Sequence, residues 1–137
     1  MEMDEQRREH EEGIIESFIL LTSRQRVLGF LGNDRHRRKV TNGLAHQRIL
    51  DPSKMFQIPK DQQTMKAIVK MLKLKKAPQT CYVISENPVL DGQFLELSDA
   101  LNATIGYGMG TIISCIPGKL AYYEGEEKNE RYLLMCN

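Results

Sequence analysis

No run of this chain approaches the roughly 20 apolar residues that a membrane-spanning helix needs. The longest apolar cluster, Ile14 to Leu21, is interrupted by Glu16 and Ser17. The first residues also lack the basic patch and apolar stretch of a secretory signal, so a cytoplasmic location without membrane contact is the expectation. No CxxC spacing and no nearby His pair accompanies Cys81, Cys115 and Cys136, which argues against a bound metal. Each cysteine lies in an apolar run and is expected to be a buried, reduced thiol. No Gly/Ser linker, repeat or low-complexity tract divides the chain, so it reads as a charged N-terminal tail over residues 1–13, frayed or marginally helical, and a single domain over 14–137. Tryptophan is absent, leaving five tyrosines to dominate the near-ultraviolet absorbance, against which bound nucleic acid would stand out.

What is present is an uneven distribution of charge that the net value of +1 conceals. Residues 24–76 carry fourteen basic side chains against only Asp34, Asp51 and Asp61, a local excess of eleven. Residues 2–16 and 84–137 each carry an excess of five negative charges. Such asymmetry either attracts an anionic partner or is neutralised by pairing within the fold.

Before Ala77-Pro78 the apolar residues recur at helical spacing, and after it come β-branched and aromatic runs broken by Gly and Pro. Ile14 to Leu21 is too short to type by period: its β-branched and aromatic content allows a strand and its leucines a helix, with the strand favoured. Ser23 is placed to cap a helix with Val27, Leu28 and Leu31 on one face, ending at Gly32-Asn33. A second helix is expected from Asp34 to about His46, interrupted in its chemistry by Asn42-Gly43. Asp51-Pro52 and Ile58-Pro59 mark a loop. Asp61 is the expected cap of a third helix, with Met65, Ile68, Val69 and Leu72 inward. Thr80 to Ser85, TCYVIS, reads as a strand, and a fourth helix is expected from Ser98-Asp99 to about Ile105. The end reads as a three-stranded meander: Thr111 to Ile116, a Pro117-Gly118 turn, Lys119 to Glu124, and Arg131 to Cys136. The fold class is therefore α+β, a two-layer domain with helices packed on one face of a mostly antiparallel sheet of four or five strands.

The segment Gly32 to Asp51, GNDRHRRKVTNGLAHQRILD, carries the main candidate site. Arg35, His36, Arg37, Arg38, Lys39, His46 and Arg48 form an expected anion-binding set, because guanidinium forks match phosphate oxygens. No aromatic residue lies between Lys39 and Phe56, so base stacking is not expected from this segment alone. A second candidate is a ligand loop built from Glu86, Asp91, Gly106, Tyr107, Gly108 and Gly110. Its glycines follow a helix and precede a strand, the reverse of a dinucleotide fingerprint, and no Walker lysine is present.

No catalytic residue and no cofactor is assigned. The leading expectation is a non-enzymatic binding module that engages nucleic acid or a nucleotide through the basic segment. Alternatives are a regulatory subunit that binds another protein, and a small hydrolase pairing His36 or His46 with Glu86 or Asp91. Tyr122 and Tyr123 alternate faces on a strand, so one is expected in the core and one exposed. Were Arg131 to Cys136 a sheet edge, it would invite pairing in a homodimer.

Overall fold

The TCYVIS run, strand β2 (Thr80–Ser85), is buried at every position after Thr80. A strand apolar on both faces needs a covering layer on each, and the computed structural model provides two. The structure describes residues 2–136; Met1 and Asn137, the outer ends of the expected tail and domain, lie outside them, as do the side chains of Glu2 and Met3. The chain combines helices with a six-stranded antiparallel sheet, ordered β1-β6-β5-β4-β2-β3. The other strands are β1 (Met55–Gln57), β3 (Phe94–Glu96), β4 (Thr111–Ile116), β5 (Leu120–Glu124) and β6 (Arg131–Met135).

Alternation along the strands sends Tyr82, Ile84, Ile112, Ala121, Tyr123 and Leu134 to one face. There they pack against α1 (Glu2–Phe18), α2 (Arg24–Leu31) and α3 (Arg37–Thr41) through Ile14, Phe18, Val27, Leu31 and Val40. Cys81, Val83, Ile113, Cys115, Tyr122 and Leu133 point the other way, onto α4 (Met65–Leu74) and α5 (Leu97–Thr104) through Ile68, Leu72, Leu97, Ala100 and Leu101. Helices thus cover both faces, which corrects the two-layer expectation. The strand count among the described residues is six rather than four or five, because the short edge β1 falls in a stretch that reads as loop and β3 in one with no assigned element.

The same layering explains further departures. Tyr122 and Tyr123 do lie on opposite faces, yet both are fully buried, since neither face meets water. Their hydroxyls donate to Glu124 Oε1 at 2.6 Å and to the Leu44 carbonyl at 2.6 Å, so neither is buried without a partner. Strand β6 pairs with both β5 and β1 and is not an edge, which removes the geometric basis for a dimer through its LLM sequence. Cys81 and Cys115 are buried as expected, whereas Cys136 is exposed.

Residues 2–13, expected to be a charged tail or a marginal helix, form the first turns of α1, and Ile14 to Phe18 continue that helix rather than taking the favoured strand. Ile14, Ile15 and Phe18 lie at helical spacing, and the sheet face they cover decides their conformation. Only Ile19 makes a β-bridge, to Leu50. Gly13 sits in α1 where a side chain would strike the Pro117-Gly118 turn, in which Gly118 has φ +71°. The expected helix from Asp34 to His46 breaks at Asn42 into α3 and a 3-10 turn, Asn42–Ala45. Thr64, not Asp61, caps α4, its hydroxyl accepting from Ala67 N–H at 3.3 Å.

Candidate anion-binding site

Helix α2 places Arg26 and Phe30 one turn apart and so on the same side, with Val27 beside them. Facing them, α3 and the irregular segment after it present Lys39, Val40, Gly43, His46, Arg48 and Ile49. Together these nine residues line a cavity of about 410 Å³. Three of the seven expected anion-binding residues, Lys39, His46 and Arg48, converge here, and Arg26 joins them from outside the segment. Among the described residues no carboxylate lines the cavity, and none of these four basic side chains is in an ion pair. Beside these charges the lining is apolar: Val27, Phe30, Val40 and Ile49.

Phe30 is the aromatic group that the local sequence of the basic segment lacks. It comes from nine residues before Lys39, and the Lys39 ammonium lies 5.2 Å from its ring centroid, while the His36 ring stands 5.9 Å away. The periodicity of α2 was the one available signal, since Arg26 and Phe30 share a stripe, but nothing in that spacing tells which element it faces.

Arg37 does not belong to this site. It is buried, and its Nε and Nη2 donate to Asp91 Oδ2 and Oδ1 at 2.7 and 3.2 Å. Its Nη1 donates to Glu11 Oε2 at 2.7 Å, and its Nη2 also reaches the Tyr82 hydroxyl at 3.2 Å. Burial alone would lower the Arg37 pKa, but the hydrogen bonds to Asp91 and Glu11 outweigh it and hold the guanidinium firmly charged. Its fork is therefore occupied, and the anion-binding expectation does not extend to Arg37. Arg35 and Arg38 are exposed outside the cavity; Arg38 only approaches the Glu86 carbonyl, at 3.5 Å.

Within the expected ligand loop, Glu86 and Gly110 are partners of each other, and Asp91 and Gly106 have partners outside it. Glu86 Oε1 accepts from Gly110 N–H at 3.1 Å, and Glu86 N–H donates to the Gly110 carbonyl at 2.8 Å. Gly110 itself lies against the backbone of Leu44 and Ala45, where no side chain fits. Gly106 N–H donates to buried Glu124 Oε2 at 2.9 Å, and Gly108 adopts φ +69°. Asp91 is taken by Arg37 and by Ser85 N–H. Tyr107 stays exposed. No hydrogen bond or ion pair joins His36 or His46 to Glu86 or Asp91 among the described residues. Equally, no cluster of three or more His, Cys, Asp or Glu side chains suited to a metal occurs among them, and no helix is long and apolar enough to cross a membrane.

Comparison with protein-family models, curated proteins and solved structures returns no match for this chain.

Proposed function

We propose that this protein is a binding module for a phosphate-bearing partner, a nucleotide or nucleic acid, which it holds in the cavity between α2 and the segment 39–49. The observation that carries the reading is the convergence of Arg26, Lys39, His46 and Arg48 on one concavity that no acid lines. Unpaired cations facing each other repel, and an anion with several oxygens relieves that repulsion while accepting their hydrogen bonds. The apolar wall excludes water from one side of the ligand and strengthens those contacts.

The test is fluorescence anisotropy of a labelled single-stranded oligonucleotide at low salt, with a mononucleotide as competitor to separate the two phosphate sources. Affinity is expected to fall steeply as salt rises. The pair Arg26→Ala and Arg48→Ala should abolish most binding; both side chains are at the surface, and Arg37 is left intact because the fold depends on it. Gly43→Leu is a second probe. A Cβ added at Gly43, which lines the cavity, meets nothing within 4 Å, so a leucine is tolerated at its base and is expected to take up ligand space. Full affinity in these variants, or no binding at low salt, overturns the reading.

A protein partner is the second reading, favoured by Val89 and Tyr107, which are 78% and 68% exposed. They stand on two loops that the Glu86 to Gly110 hydrogen bonds tie together. A stoichiometric protein retained after nuclease treatment, and lost on changing Val89 and Tyr107 to Ser, would favour this reading over the first.

A further inference from the structure

We infer that the ligand of this cavity is a single nucleotide whose base takes the place of the Lys39 ammonium on the Phe30 ring, while its phosphate draws that ammonium away. The inference rests on the anion-binding reading and adds the ligand's second half.

Three observations support it. The cavity lining is mixed in chemistry, with basic groups at Arg26, Lys39, His46 and Arg48 and apolar side chains at Val27, Phe30, Val40 and Ile49, so a purely ionic ligand would leave its apolar surface uncovered. Its volume of about 410 Å³ sits near the low end of the about 300–1,000 Å³ typical of small-molecule sites, which suits one base with its sugar and phosphate rather than two. Finally, Phe30 is the one phenyl ring in the lining, and the Lys39 ammonium lies 5.2 Å from its centroid.

That last contact is replaceable. The Lys39 side chain is exposed, and an ammonium that stays in water over a phenyl ring is weakly held. A phosphate dianion is a stronger partner for an ammonium, through charge-assisted hydrogen bonds. Lysine is suited to the exchange because its charge rides on a flexible four-carbon stem, unlike a fixed guanidinium plane. Once the ammonium moves, the freed ring face can stack a base, and such stacking is tolerant of which base it is. Phe30 and Lys39 thus act in sequence on the two ends of one ligand.

The experiment compares adenosine 5′-monophosphate with ribose 5-phosphate by calorimetry at low salt, on the wild type and on Phe30→Leu and Phe30→Tyr. The two ligands carry the same phosphate and differ in the base. Wild type is expected to bind the nucleotide about five-fold or more tightly than the sugar phosphate, Phe30→Leu to erase that preference, and Phe30→Tyr to keep it. In nuclear magnetic resonance, the Lys39 side-chain protons, shifted by the Phe30 ring in the free protein, should lose that shift when the nucleotide binds. Equal affinities in the wild type overturn the inference even if Phe30→Leu fails to fold, and leave the anion-binding reading standing. So does an oligonucleotide that binds where the mononucleotide does not. If neither small ligand nor oligonucleotide binds at low salt, the anion-binding reading itself is overturned.

Discussion

Arg37 and Asp91, fifty-four residues apart in the chain, meet in a two-pronged ion pair at 2.7 and 3.2 Å, with Glu11 of α1 closing on the same guanidinium at 2.7 Å. One buried cation thereby joins the N-terminal helix, α3 and the loop after β2. Removing it strands two carboxylates that are only 15% and 14% exposed, which is the costly way to break a buried pair. Arg37→Met should lower stability by about 3–5 kcal/mol in urea denaturation. The exposed neighbour Arg38, changed in the same way, should stay within about 0.5 kcal/mol of wild type. Similar values for the two would show that Arg37 does not hold the fold as described.

His10 lies on the sheet-facing side of α1, its Nδ1 2.7 Å from the Ser114 hydroxyl and its ring within 5.7 Å of Tyr82 and 5.8 Å of Phe94. Burial lowers its pKa, more than the nearby Glu9 raises it. A histidine whose folded pKa is lowered stabilises the fold in its neutral form, so the contribution is complete above about pH 6.5 and is lost as pH falls toward the folded value. The urea midpoint should fall on going from pH 7.5 to 5.5, and His10→Gln should flatten that slope. An unchanged slope in the variant would place the titrating group elsewhere.

Glu124 has the opposite sign. Burial raises its pKa against the lowering effects of Tyr122, Gly106 N–H and Arg131. Its unfolded carboxyl ionises first, so stability is greatest below the unfolded value and declines as pH rises through the folded one. The stability of wild type relative to Glu124→Gln should therefore fall between pH 4 and neutrality; a difference that grows with pH would contradict the burial argument.

Gly43 and Gly110 respond oppositely to an added methyl group. Alanine at Gly110 would drive its methyl into the Leu44 and Ala45 backbone, and should cost about 3 kcal/mol or more. Alanine at Gly43 meets nothing and lies in a 3-10 turn without a positive φ, so it should stabilise by about 0.4–1 kcal/mol. Thermal melting of the two variants checks both signs at once.

Thiol accessibility offers a simple count. Burial pushes the Cys81 thiol up to about 12 and raises that of Cys115 as well, while Cys136 is exposed. An aromatic disulfide reagent should modify one cysteine in the folded protein and three in denaturant.

The pattern of residues made much of this legible in advance. TCYVIS, TIISCI and the Pro117-Gly118 turn read correctly as strands and turn, because alternation and turn chemistry are local properties. The strand at Ile14 to Leu21 misread because eight residues of mixed β-branched and aromatic type satisfy both periods, and the contact with the sheet settles the matter. Strands β1 and β3 went unseen because three residues carry no period; they exist through pairing with β6 and β2.

The site divides in the same way. A local excess of positive charge is a matter of composition, and the chain's order of residues alone determined that it lies between positions 24 and 76. Which cations stay free is a matter of neighbours. Arg35, Arg37 and Arg38 are equivalent as letters, yet only Arg37 is brought against Glu11 and Asp91, and only tertiary packing sets Arg26 and Phe30 opposite Lys39, His46 and Arg48. Charge is carried by each side chain wherever it goes, whereas pairing, burial and concavity arise between segments far apart in the chain, and they come into being only when the chain closes.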